Sequence, residues 1–500
     1  MTVRNLLLAG ALAASLAAAA APDEFSEIES RVHEFTLSNG WRFLVLERHQ
    51  APVAAFLTYA DVGSAQEVTG YTGLAHMFEH LAFKGSSHIG TTDAVAEKAA
   101  LDRVDRAYDA LRAERLKGRQ ADPQKIAQLG QAFKDAQEAA EKFVVPNEFG
   151  EAVERAGGRG LNANTSSDAT NYFFSLPSNE AELWFYLEGQ RFGDPVLRQF
   201  YKERDVVMEE RRLNESQPLG RLIEEFQAVA YKAHPYREPA LGHMSDLLYF
   251  RRQDGEAFFH KYYVPSNLTS AIVGDVRPES VRALAETYLA SIPAGAKAEP
   301  LHTVEPPQTG ERRVTLRLQS QRVFVEGFHK PDINDPDNAV YEAIGSLLSE
   351  GRSSRLYRSL VRDKKIATSA GGSPGFSGDK YPGLFLFYAF PAPGHTNAEV
   401  EKAIDAEIDR LKTEPVTAAE LDGVKRRTRA GIIEGMDDDS TLARTLAAYQ
   451  ALTGDWRNAF ARLARTAAVT PADVQRVARA TFVYDNRTVA QIEPLEAASK

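Results

Sequence analysis

A chain of 500 residues is too long for one ordinary domain, and 43% apolar with 26% charged residues is the composition of a globular protein with two or three cores. The formal net charge of −10 argues against a general nucleic-acid binder, which shows a basic stripe. With no cysteine there is neither disulfide nor thiolate ligand, so a metal would have to be held by His, Asp or Glu.

The opening stretch, MTVRNLLLAGALAASLAAAAAPDEF, joins one early cation, Arg4, to an apolar run and a small-residue end suited to cleavage. That layout predicts a secretory signal peptide over residues 1–21, cut near Ala20 or Ala21, and an exported protein of the bacterial periplasm. The rival reading is an uncleaved anchor. No other stretch is apolar over the length a bilayer requires, so no stable membrane span is expected after cleavage.

RVHEFTLSNGWRFLVLER then reads as a hairpin turning at Asn39-Gly40, where Asn-Gly supplies positive φ, and VAAFLTYADVG as a more buried strand. GLAHMFEHLAFKG, residues 73–85, comes next, on a helix. Residues 94–144 are rich in Ala, Leu, Arg and Glu, with a break at Gly118 and a restart at Asp122-Pro123, and they predict an inserted helical hairpin. GLNANTSSDATNYFFSLP reads as a strand pair. Asp194-Pro195 is expected to open a helix running to about Ser216. LTSAIVGDV is a buried strand before a further helix. Residues 293–311 form a linker dense in Pro, Gly and Ala.

Beyond the linker the chain repeats the first half in pattern: two strands, a helix in AVYEAIGSLLSEG, and a strand in GLFLFYAF. Aligning Gly351 with Gly85 puts Glu342, Gly345 and Ser346 where the first half has His76, Glu79 and His80. The expected fold class is therefore α/β (α+β), with two homologous domains, each a mixed and mostly antiparallel sheet packed on helices. The domains are placed at residues 22–296, with the insertion, and 297–500, without the histidines.

His76 and His80, at i and i+4, stand on one helical face, so their imidazoles can converge on one zinc ion. Glu79 lies about 100° around the helix from His80, placed to take a proton from water beside the ion without ligating it. H-x-x-E-H inverts the commoner H-E-x-x-H order. Two structural histidines are the alternative, although burial without partners would be unfavourable in this apolar setting. A third donor is offered by DPVLRQFYKERDVVMEERRLNES, where Val196, Phe200, Glu203, Val207 and Glu210 form one stripe. Two carboxylates on an apolar face need a cation, a proton or donors, and ion pairing with Arg or Lys is the other reading for Glu203 and Glu210.

HMFEHLAFKG, GLNANTSSDATNY and ERDVVMEE, in that order and ahead of a half without paired histidines, resemble the pitrilysin/insulinase family of zinc peptidases, which includes the mitochondrial processing peptidase. The similarity spans most of residues 30–490 and is densest between 70 and 215. It implies one Zn2+ per chain on His76, His80 and Glu210, with Glu79 as general base and Glu203 as a carboxylate that orients the site. It further implies that Asn162 and Ala163 lie on an edge strand that pairs with substrate backbone; an ordinary strand is the alternative. The chain departs from the family twice. The stretch from His80 to Glu210 is unusually long, which the insertion accounts for and which leaves Glu209 as a fallback ligand. Family members often carry a substrate-holding Arg and Tyr in a later domain; Tyr381 in SGDKYPG is a candidate, against a plain loop-tip tyrosine, and no matching Arg is near it.

The function expected is a zinc endopeptidase acting on unfolded peptides in the cell envelope, as a homodimer or beside a homologous subunit, with no nucleic acid. The alternative is a non-catalytic or partner-dependent subunit, a scaffold or substrate-binding half. A purely structural zinc would want a fourth ligand.

Overall fold

The computed structural model describes residues 24–495, so the expected signal peptide lies outside the described residues. β1 (Val32–Thr36) and β2 (Arg42–Glu47) pair antiparallel across a turn in which Gly40 has a φ of 99°. Asn39 is no part of that positive-φ pair; its buried amide donates to the carbonyls of Leu289 and Ile292 at 2.8 and 3.1 Å, tying the turn to the far end of the half. β3 (Val53–Ala60), β4 (Arg159–Thr165), β5 (Thr170–Pro177) and β6 (Leu268–Gly274) complete a sheet of order β1-β2-β6-β3-β5-β4. β2 and β6 run parallel and the other pairs antiparallel. β4 is an edge.

The second sheet holds β7 (Arg312–Leu318), β8 (Val323–Lys330), β9 (Ala367–Phe376), β10 (Gly383–Pro391) and β11 (Arg487–Pro494), ordered β7-β11-β8-β10-β9. Its parallel pair is β7 with β11. Taken strand for strand, this is the order β2-β6-β3-β5-β4 again, with the parallel pair in the same place. The repeat that the sequence shows only as a pattern is a repeat of topology.

The helices that matter here are α1 (Leu74–Leu81), α2 (Ala94–Arg115), α3 (Pro123–Glu141), α4 (Phe200–Ser216), α5 (Pro218–Ala230), α6 (Pro278–Tyr288), α7 (Asn338–Ser349) and α8 (Asp439–Thr453). α2 and α3 form the expected hairpin, with the Asp122 carboxylate accepting from the Gln124 and Lys125 amides at the start of α3. The hairpin is fastened to the body: the Tyr108 ring lies 4.4 Å from that of Tyr201 on α4, and Asp105 pairs with Arg252 at 2.6 Å. α4 starts later than expected. Pro195 bridges to Ser86 and Gln199 takes a left-handed φ of 57°, so residues 194–199 close onto the loop after α1 instead of beginning the helix. Val196 thus drops out of the stripe, leaving Phe200, Glu203, Val207 and Glu210.

One face of the first sheet packs on helices of its own half, with Trp41, Phe56, Phe78 and Trp184 in that core. The other face is covered by the second half: Leu442, Leu446 and Ala447 of α8 cluster with Leu44, Leu57, Ala271 and Val273. The reverse also holds. Leu222, Phe226 and Ala230 of α5 cluster with Val323, Val325, Leu384 and Ala490 of the second sheet. This exchange needs close approach at Gly327 on β8, where a Cβ would stand 2.6 Å from Cζ of Phe226. Gly327→Ala is expected to destabilise the protein by about 1–3 kcal/mol, and Phe226→Leu in the same chain to relieve part of that loss, as read from urea unfolding.

Candidate metal centre

α1 carries the histidines because its apolar residues are buried on the core side while residues 76, 79 and 80 reach its rim. Leu74, Met77, Phe78 and Leu81 are buried, and Glu79 and His80 are half-buried. The first turn of the helix is held by Glu67, whose buried carboxylate accepts from the N–H groups of Gly73 and Ala75, each at 2.7 Å.

α4 approaches so that Glu210 faces both imidazoles. Nε2 of His76 and Nε2 of His80 each lie 3.6 Å from Oε2 of Glu210. That spacing is too long for a hydrogen bond. It fits the edge of a tetrahedron around a zinc ion with ligands at 2.0–2.1 Å, which is about 3.4 Å. His76, His80 and Glu210 are the group of potential ligands found among the described residues, with their donor atoms within 4.8 Å of one another. Burial, then the neighbouring His80, pushes the His76 pKa down to about 4, so its imidazole is neutral and its nitrogen lone pair available. The residues present therefore fit the zinc that the motif implies. Glu209, the fallback, is 74% exposed at its side chain and pairs with Arg212 at 2.8 Å.

Glu203, two helical turns before Glu210, faces the other nitrogen of His80, Oε2 to Nδ1 3.6 Å, and its second oxygen meets Nζ of Lys84 at 2.5 Å. Burial alone would raise its pKa, but His80 and Lys84 outweigh that and hold the carboxyl below its ordinary range. His80 moves the other way: burial lowers its pKa, and Glu203, Glu210 and Glu79 together raise it. Burial raises the pKa of Glu79, opposed by hydrogen bonds from the Thr165 side chain and backbone at the end of β4. The edge strand and the expected base are thus neighbours.

On β4, Asn162 is exposed, while the Ala163 side chain is buried and its N–H is engaged by the Asn162 side-chain oxygen at 2.9 Å. The contacts of Tyr381 lie at the seam between the halves. Its hydroxyl accepts from the Leu301 N–H at 3.0 Å, its own N–H donates to the Tyr236 hydroxyl at 3.1 Å, and its ring lies 5.3 Å from that of His234. It secures the seam between the halves, where Asp168 accepts from Tyr236 and from the amides of Asp379 and Lys380.

In the second half, Glu342 pairs with Arg462 at 2.7 Å, and Ser346 bonds to Glu350 and Arg427. The position of the metal ligands is filled there by ion pairs.

Sequence reasoning passed over Glu67, Lys84, Thr165 and Arg198. Lys84 and Thr165 stand inside motifs already singled out. Glu67 has only the weak signal of an acid before a helix, and Arg198 has none.

The chain is similar to known proteins over most of its length. The family model described as Insulinase (Peptidase family M16) matches residues 42–102, and Peptidase M16 inactive domain matches residues 249–428. The zinc protease PqqE of Helicobacter pylori is 29% identical over 476 residues, covering 92% of each chain. An uncharacterized zinc protease of Mycobacterium leprae is 24% identical, covering 84% of this chain and 83% of its own. Among solved structures, a protease from Helicobacter pylori aligns with a TM-score of 0.77 at 26% identity, over 93% of this chain and 99% of that one. The periplasmic protease PqqL of Escherichia coli shares the fold at TM-score 0.69 and 16% identity, over 93% of this chain and 47% of its own. The chain belongs to the M16 (insulinase) peptidase family, as its three motifs lead one to expect.

Glu210→Gln is expected to weaken zinc binding at least ~100-fold in chelator competition, whereas Glu209→Gln leaves it within about twofold. Equal losses in the two would return the ligand role to an open choice between them.

Proposed function

We propose that this chain is a zinc-dependent endopeptidase of the cell envelope that hydrolyses unfolded peptides. The observation that carries the reading is the joint placement of three zinc-competent donors, a half-buried carboxylate at Glu79 and an open sheet edge whose last residue touches that carboxylate. His76, His80 and Glu210 would hold one ion. Zinc, when bound, supplies a Lewis acid that polarises the peptide carbonyl and makes nearby water a better proton donor.

The remaining work falls to the chain. An extended peptide lies along β4, hydrogen-bonded through its backbone past Asn162 and Ala163. Glu79 takes a proton from water as the oxygen attacks the carbonyl carbon, and returns it to the amide nitrogen as the C–N bond breaks. Glu203 keeps the His80 ring in orientation. The corresponding edge in the other half differs: β9, which corresponds to β4, includes Gly371, Gly372 and Pro374, and proline on an edge strand discourages pairing. A periplasmic location is supported by the N-terminal pattern. Among the described residues no helix is long and apolar enough to cross a membrane. Two copies, or this chain with a homologue, would enclose the peptide; the match of this whole fold to about half of the longer PqqL chain supports that arrangement.

A partner-dependent subunit is the second reading, favoured by one observation: the Tyr381 hydroxyl is engaged within its own half, accepting from the Leu301 N–H.

The test is cleavage of unstructured peptides by the purified mature chain. Zinc-loaded protein is expected to cut, Glu79→Gln to lose about 10²–10⁴-fold in kcat with zinc content unchanged, and chelator to abolish turnover. Wild-type rates from Glu79→Gln would remove the proposed base. Silence from a fully zinc-loaded wild type would favour the partner-dependent reading.

A further inference from the structure

Between the last turn of α1 and the first turn of α4 runs a chain of contacts that the expected ligand set does not include. Arg198 is 1% exposed, and all of its N–H-bearing nitrogens are engaged. Nε and one terminal nitrogen grip the two oxygens of Glu97 on α2 at 2.8 and 3.0 Å. The terminal nitrogens also donate to the carbonyls of Ser86 at 2.6 Å, of Ile89 at 2.8 Å, and of Lys84. The Lys84 backbone is therefore fixed from behind, by a guanidinium that the inserted hairpin itself holds.

From that fixed point the Lys84 side chain reaches Oε1 of Glu203 at 2.5 Å, and Oε2 of the same carboxylate stands 3.6 Å from Nδ1 of His80, an ion-pair distance rather than a hydrogen bond. A histidine that ligates through Nε2 must carry its proton on Nδ1, and a carboxylate held on that side favours this tautomer and ring plane. A free glutamate side chain has rotamers that would turn it away. An ammonium on its second oxygen removes that freedom, at a place where the side chains of Lys84 and Glu203 are only 26% and 12% exposed. The two ligands differ here: Nδ1 of His76 is buried without a hydrogen-bond partner, whereas that of His80 has an ion-paired carboxylate beside it.

We propose that Lys84 is a positioning residue for the metal centre, which locks Glu203 against His80 and is itself held in place by the Arg198–Glu97 pair. The inserted hairpin then contributes to the metal site through Glu97. The inference rests on the zinc reading of this centre.

The test is zinc affinity by chelator competition, with thermal melting of the metal-free proteins as the control for folding. Lys84→Met is expected to weaken zinc binding about 10–100-fold while the metal-free melting temperature stays close to that of wild type, and Lys84→Arg to recover part of the loss. Glu203→Gln is expected to show a loss of the same order, and Lys84→Met added to Glu203→Gln to weaken binding no further, because the two act through one contact. Wild-type affinity in Lys84→Met, or losses that simply add in the double variant, would overturn the proposal. Should Lys84→Met fold poorly, the comparison of Lys84→Arg with Glu203→Gln carries the same decision. A wild-type chain that binds no zinc would defeat the metal reading itself, a result distinct from any of these.

Discussion

The buried pair of Arg198 and Glu97 ties together the chain segments that surround the candidate centre. His76 and His80 sit on one helix and Glu210 on another, far along the chain, and their donor atoms must converge to within a few tenths of an ångström of a tetrahedral edge. An ion pair out of water is a weak stabiliser on balance, because desolvation opposes the Coulomb gain. Its value is geometric. A guanidinium presents its donors in a rigid plane, and here that plane spans the end of α1, the start of α2 and the start of α4. The left-handed turn at Gln199 and the bridge from Pro195 to Ser86 belong to the same closure.

The two halves are joined as deeply as either is built. Each sheet has two apolar faces and only enough helix in its own half for one of them, and the second face is closed by a helix from the other half, α8 on the first sheet and α5 on the second. Neither half could be taken away without exposing such a face. The seam adds polar contacts: Asp168, in the turn after β4, gathers the Tyr236 hydroxyl and two amides of the SGDKYPG loop, and Lys380 reaches Asp61 at 2.5 Å. Because that turn begins just past Thr165, the end of the edge strand near Glu79 is steadied by the second half as well.

Duplication has left one topology with two uses. At corresponding places, the first half sets His76, Glu79 and His80, and the second sets Glu342, Gly345 and Ser346, closed by Arg462 and Arg427. Self-neutralising pairs need no ion. The edges differ in the same sense, β4 being free of proline and β9 carrying Pro374. One half brings three potential metal ligands close to a free sheet edge. The other supports it.

Spacing along the chain was enough to place the two histidines and Glu79 on one helix, to join Glu203 with Glu210 across two turns, and to find the strands on either side of Asn39-Gly40, because helix and strand periods are local properties of the backbone. Three motifs in order were enough for the family. Contacts between distant segments were not legible. Nothing near Arg198 tells that its partners are residues 84–97. The proline at 195 suggested a helix start that a bridge to Ser86 pre-empted, and Tyr381 looked free until its hydroxyl met Leu301. The stripe already favoured Glu210 over Glu209, and the packing of α4 against α1 added which way it faces, toward both imidazoles. Sequence determined which side chains could do the chemistry; the fold decided which of them meet, because convergence depends on long-range packing that no local period encodes.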